Sequence, residues 1–197
     1  MIIFDLGGVV FGNGSQKAMK DLKNKYFFSD RFLEKMFYGK EALDFRVGKL
    51  EPAQFWQFIS QILPREIGLT ADDVKNIWYN FYIPPRGMFD LIRKLKRNYK
   101  LGIISGNIKE RVEFLDKKYG FRRYFDFEVY SFDVGANKPS LILYEKAVEK
   151  AKVEASNCLY IDDCPEYLEP ARNLGMRTIL FENFRKFQRE IRKMSLI

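Results

Sequence analysis

Asp5 follows the apolar run Ile2-Ile3-Phe4 and precedes Leu6-Gly7-Gly8, so its carboxylate is expected where a buried strand stops and a loop opens. Three further positions repeat that placement. Ser105 ends the run LGIIS, Asp162 and Asp163 follow CLYI, and Lys138 lies in the loop GANKP just before a helical pattern. Ligands of open parallel sheets bind beyond the carboxyl ends of the strands, near the point where strand order reverses. Taken singly, Ser105 is an ordinary helix cap, Lys138 a surface lysine and the Asp pair a turn. Together, an Asp, a Ser, a Lys and a doubled Asp at four such points describe a site.

The chemistry open to these side chains is phosphoryl transfer, in which a protein mainly positions groups and stabilises charge. A carboxylate can attack phosphorus and form an aspartyl phosphate, which divides one difficult displacement into two. Two anions must then meet, and Mg²⁺ lowers that repulsion because it binds one or two carboxylates together with phosphate oxygens. Asp5, Asp162 and Glu166 are the candidate metal-site acids. Asp5 is the candidate nucleophile, Ser105 offers a hydroxyl, and Gly106 and Asn107 open a helix whose amides suit an oxyanion. Lys138 adds a compact positive charge. The chain contains no histidine, so acid and base work falls to carboxylates, Lys, Tyr or water.

Strands that could carry these residues are expected at Ile2–Leu6, Leu101–Ser105, Phe127–Tyr130, Cys158–Ile161 and Met176–Phe181, with helical patterns at 108–119, 139–151 and 165–174. Alternation of this kind implies an α/β fold, a parallel sheet with helices on both faces. Residues 14–84 break it with consecutive helix signals and no convincing strand. One helix opens at Glu51-Pro52 and closes at Pro64, with Phe55, Ile59 and Ile62 on its apolar face; the next is capped by Thr70 and Asp73. The expected division is therefore a core of 1–13 and 85–197 with a helical insertion at 14–84. Within the insertion, Phe45 and Arg46 precede Gly48 in an expected loop and are candidate substrate contacts.

The 197 residues are 47% hydrophobic and 30% charged, enough for one buried core and a small appendage. No apolar run approaches the roughly 20 residues of a membrane span, and MIIFDLGGVV lacks a basic leader, so a cytoplasmic protein with no membrane partner is expected. The two cysteines, Cys158 and Cys164, lack zinc or redox spacing and read as reduced thiols. The net charge of +8 invites a nucleic-acid partner. Its densest stretches, 93–97 and 184–193, alternate with apolar residues at helical spacing, so a solvated helix face is expected instead.

In order along the chain, IIFDLGGVV, IISGN, GANKPS and YIDDCPEYLEPARNLGM resemble the four motifs of the haloacid dehalogenase superfamily, over Met1 to about Phe181. The resemblance implies a Rossmann-like core with a helical cap, and a Mg²⁺-dependent phosphatase acting on a small phosphorylated metabolite through an aspartyl phosphate on Asp5. GKEALDFRVGKLEPAQFW, with the DLG motif, is similar to a sugar-phosphate phosphatase subgroup. One departure matters: most phosphatases of the superfamily carry a second Asp two residues after the nucleophile as general acid, where this chain has Gly7. Candidate substitutes are Asp44, Glu41, a cap Tyr or a metal-activated water, and an anomeric or otherwise acidic leaving group is expected. The alternatives are a metal-free 2-haloacid dehalogenase, which also lacks that second Asp, and a non-catalytic phosphate-binding protein.

Overall fold

β1 (Ile2–Phe4) is three residues long and wholly buried, because it lies at the centre of the sheet. The computed structural model describes residues 1–197. After β1 the chain forms α1 (Gly14–Tyr26), α2 (Asp30–Tyr38), α3 (Lys40–Arg46), α4 (Pro52–Ile62), α5 (Ala71–Asn80) and α6 (Met88–Lys96). Alternation then begins with β2 (Leu101–Ser105), α7 (Lys109–Tyr119), β3 (Phe127–Tyr130), α8 (Ser131–Val134) and α9 (Leu141–Ala151). It ends with β4 (Leu159–Asp162), α10 (Pro165–Asn173), β5 (Arg177–Leu180) and α11 (Phe184–Lys193). The strands are all parallel, in the order β3-β2-β1-β4-β5. The fold is the expected α/β, Rossmann-like sheet, and its order reverses between β1 and β4.

Each expected strand forms, shifted by a residue or so at its ends. The expected loop around Phe45 and Arg46 does not: α3 runs through both residues to Arg46. Lys40, Glu41, Ala42 and Leu43 are good helix formers, and the glycine that was read as a loop signal falls just beyond the helix end. Caps account for the helix starts elsewhere. Asn13 accepts from the backbone of Gln16 and Ser29 from that of Phe32, while Thr70 and Asp73 cap α5 reciprocally.

One apolar cluster runs without a break from Ile2 and Phe4 in the sheet, through Phe11 and Ala18, to Phe37, Phe55 and Trp78 among the inserted helices. A second fills the other face of the sheet, with Ile3, Ile104, Tyr144, Tyr160 and Leu168 under α9 and α10. The period of two along a strand sends Ile2 and Phe4 to one cluster and Ile3 to the other. We propose that residues 14–84 are a cap that unfolds together with the 1–13 and 85–197 core, because their apolar interiors are continuous. Phe55 is fully buried, 4.5 Å from the Phe45 ring and 6.3 Å from that of Trp78. Phe55→Ala is expected to cost about 3–5 kcal/mol, read as a lower urea midpoint in a single transition. Two separated transitions would show that the cap unfolds alone.

Candidate active site

The register that pairs Phe4 of β1 with Ile161 of β4 makes the next pair Asp5 and Asp162. Asp5 stays in the sheet at this point, since its backbone amide donates to the Ile161 carbonyl at 2.8 Å. Strands lie only about 4.8 Å apart, so two carboxylates are forced side by side at the switch point. Lys138, from the loop between α8 and α9, resolves the conflict. Its Nζ donates to Asp5 Oδ1 at 2.5 Å and to Asp162 Oδ2 at 2.7 Å, and its side chain is 5% exposed. The Tyr160 hydroxyl also donates to Asp162 Oδ2, and the Cys164 amide donates to Asp162 Oδ1 at 2.9 Å.

Asp163 completes the group, with one carboxylate oxygen from each of Asp5, Asp162 and Asp163 within 4.8 Å of one another. Gly8 admits it: the backbone there has φ of 124°, and any Cβ would overlap the Asp163 carboxylate. Burial pushes the Asp5 carboxyl up to about 8, with Asp162 and Asp163 adding to the rise and Lys138 opposing it. Burial and then Asp162 raise Asp163 as well. Burial works against the charge on Lys138, but Asp5 and Asp162 outweigh it and hold the ammonium above its usual range. One ammonium thus faces three carboxylates. That deficit of positive charge, with oxygen donors only, fits a hard divalent cation.

Among the acids, Asp5 and Asp163 line the cavity, whereas Asp162 is fully buried with both oxygens engaged. The expectation for Glu166 is not met. It is exposed in the first turn of α10 and outside the acidic group, because α10 carries it away from the strand end. A carboxylate there complements the helix dipole.

The cavity over the strand ends encloses about 380 Å³, the scale of a small-metabolite site. Ser105, Gly106, Asn107, Lys138 and Arg46 all line it. Phe45 does not. It is buried against Phe55 and Trp56, on the face of α3 turned toward the cap interior. Asn107 Oδ1 accepts from the Ile108 amide at 3.1 Å and from Arg111 Nε at 2.5 Å. Its amide nitrogen is on the Gly7 side, 3.7 Å from where a Cβ on Gly7 would be.

Sequence reasoning named a tyrosine of the inserted helices without a number, did not separate Asp163 from Asp162 as the acid that lines the cavity, and missed Arg111. The Tyr82 ring occupies a slot between two glycines: a Cβ on Gly7 would lie 2.9 Å from its Cε1, and one on Gly14 would overlap the ring. Its hydroxyl shares a 2.9 Å hydrogen bond with Ser15 Oγ, which accepts from Trp78 Nε1 at 2.9 Å. Of the substitute donors, Asp44 is paired with Lys40 at 2.6 Å, and neither Asp44 nor Glu41 lines the cavity. Tyr38, Tyr82 and Tyr167 do.

Comparison with known proteins bears on the family and the fold. D-ribitol-5-phosphate phosphatase of Bacteroides thetaiotaomicron is 25% identical over 200 residues, covering 96% of this chain and 95% of that one. A Dictyostelium discoideum protein is 28% identical over 210 residues, 92% and 90% of the two chains. Among solved structures, a HAD family enzyme of Bacteroides thetaiotaomicron in complex with magnesium and inorganic phosphate superposes with a TM-score of 0.73 at 20% identity, over 94% and 97% of the chains. The family model described as haloacid dehalogenase-like hydrolase matches residues 2–181 and so takes in every strand end that builds the site. By that match and by its fold, the chain belongs to the haloacid dehalogenase-like hydrolases.

Proposed function

We propose that the protein is a Mg²⁺-dependent phosphatase that hydrolyses a small phosphomonoester through an aspartyl phosphate on Asp5. The observation that carries this reading is the Asp5 carboxylate at the cavity floor, 2.5 Å from Lys138 Nζ and grouped with Asp162 and Asp163. The ribitol phosphate phosphatase relative and the magnesium–phosphate complex of a structural neighbour support it.

Asp5 and Asp163, backed by Asp162, would hold the ion. Bound Mg²⁺ neutralises the carboxylates and the phosphoryl oxygens so that the two anions can meet. Lys138 opposes the rise in the Asp5 carboxyl and adds positive charge beside the phosphoryl group, and a bound cation would complete the ionisation of Asp5 for attack. The Ser105 hydroxyl and the Asn107 amide nitrogen are donors on the cavity wall for the remaining phosphoryl oxygens. A carboxylate oxygen of Asp5 forms a bond to phosphorus as the ester P–O bond breaks, and the departing oxygen must gain a proton. Water then attacks the acyl phosphate and gives up a proton, releasing inorganic phosphate and restoring Asp5.

Gly7 has no proton to give, and we assign that role to Tyr82, whose ring fills the space a side chain at position 7 would take. Ser15 can donate to the resulting phenolate, since its oxygen already accepts from Trp78, and the Arg111 guanidinium lies 4.3 Å from the Tyr82 ring centre. The same phenolate can take the proton of the attacking water.

Phosphate release from an aryl phosphate should require Mg²⁺ and be abolished by EDTA and by Asp5→Asn. Release of chloride from 2-chloropropionate without metal, and no phosphate release, would overturn the reading. Tyr82→Phe should lower the ratio of alkyl to aryl phosphate turnover by about 10²-fold or more, the usual worth of a general acid, because an aryl oxide leaves without a proton. An unchanged ratio would remove Tyr82 from the reaction.

A further inference from the structure

Arg111 is 1% exposed, yet it forms no ion pair with any carboxylate. It stands in the first turn of α7, on the cavity wall. Its Nε donates to Asn107 Oδ1, its guanidinium lies 4.6 Å from the Trp78 ring centre and 4.3 Å from that of Tyr82, and its buried Nη1 has no hydrogen-bond partner. A guanidinium taken out of water is costly unless an anion compensates it, and aromatic faces return only part of that cost.

A second cation shares the same wall. Arg46, at the end of α3, donates from Nη2 to the Phe37 carbonyl at 2.8 Å, lies 4.9 Å from the Tyr38 ring centre, and is also without a carboxylate partner. Burial, with Arg46 as a like-charged neighbour, pulls Arg111 below the usual arginine range. Both forks are fixed by one hydrogen bond and by aromatic faces, one for Arg46 and three for Arg111, and both keep further N–H donors in hand. Fixed planar forks of this kind match carboxylates and phosphates.

These arginines are set apart from the nucleophile. The charges that act most strongly on Asp5 are Lys138, Asp162 and Asp163. The Tyr82 ring, with its edge on Gly7, comes between Gly7 and the Arg111 guanidinium, and Asn107 bridges the same gap with its nitrogen toward Gly7 and its oxygen on Arg111. Asp5, Lys138, Arg46 and Arg111 line one cavity of about 380 Å³, so a small metabolite bound in it can meet both groups.

We propose that Arg46 and Arg111 form a second anion subsite in the cavity, and that the substrate is a phosphomonoester carrying another anionic group, a carboxylate or a second phosphate. The proposal rests on the phosphatase reading for its reaction but not for its binding. It makes the two arginines specificity residues: Lys138 and the acidic group take the phosphate to be transferred, and the guanidinium pair takes the other end.

The test is a kcat/KM panel of phosphoglycolate and 3-phosphoglycerate, fructose 1,6-bisphosphate, and glycerol 3-phosphate and ribitol 5-phosphate as esters without a second anion. The intact protein should favour one anion-bearing class over the neutral esters, and whether the carboxylates or the bisphosphate lead identifies the second group. Arg46→Gln and Arg111→Gln should each cut that preference by roughly tenfold or more, through KM. Arg46 is the safer variant because it is only half-buried. No preference in the intact protein, or equal losses on every ester in Arg46→Gln, would overturn the proposal. Calorimetry of phosphoglycolate on the Asp5→Asn protein separates the two readings. Binding weakened by Arg46→Gln, in a protein that turns over no ester, would keep the subsite and remove the phosphatase; binding indifferent to Arg46→Gln would remove the subsite.

Discussion

The bond from Lys138 to both Asp5 and Asp162 is the constraint on which the site depends. Parallel pairing of β1 with β4 is dictated by apolar strands, and it leaves two carboxylates at adjacent strand ends in a nearly dry place. Unpaired, they could not both stay ionised. A single ammonium joins segments 133 and 24 residues apart in the chain, and Tyr160 and the Cys164 amide occupy the positions around Asp162 that it leaves. Because Asp162 is thus saturated from behind, Asp163 rather than Asp162 turns to the cavity beside Asp5. The acidic site is therefore layered, with Asp162 wholly buried behind the lysine and Asp5 and Asp163 lining the cavity in front of it.

The inserted helices are tied to this floor by polar contacts as well as by the shared apolar interior. Trp78 of α5 donates to Ser15 of α1, Ser15 bonds to Tyr82 in the segment before α6, and Tyr82 rests on Gly7 of the loop after Asp5. From the core side, Arg111 of α7 packs on Trp78 and Tyr82, and Glu110 accepts from Trp56, Lys75 and Tyr79. Each contact involves a side chain too large or too charged to be left unpaired where it lies. The roof of the cavity is fixed to its floor through residues that also form its wall.

Sequence made Asp5, Ser105, Lys138 and Asp162 legible because each ends an apolar run or begins a helix, and a parallel sheet gathers such ends at one edge. The inserted helices were legible from caps and prolines, Thr70 with Asp73 and Pro52 with Pro64. What stayed hidden depends on tertiary direction. Glu166 has the right charge and spacing, but the first turn of α10 carries it outward, while nothing in the doubled Asp says that Asp163 rather than Asp162 would line the cavity. Phe45 and Arg46 are adjacent, and a helix where a loop was expected sends one into the cap interior and the other into the cavity. Arg111 and Tyr82 carried no local signal at all: a basic residue in an amphipathic helix and a tyrosine beside prolines are ordinary until the fold brings them over Gly7.

The absence of a carboxylate at position 7 has an electrostatic meaning beyond the loss of a proton donor. A carboxylate there would stand beside Asn107 and Tyr82, two of the side chains that contact Arg111, and would offer the buried guanidinium a fixed counter-ion. With Gly7 the acids stay confined to Asp5, Asp162 and Asp163, while Arg46 and Arg111 line the same cavity without a carboxylate partner. The glycine also makes the room that the Tyr82 ring takes, so one substitution sets both the proton source and the charge distribution of the cavity. A site so divided, acidic where the reaction begins and basic where the rest of the molecule must lie, discriminates by the charge of the whole substrate rather than by its phosphate alone.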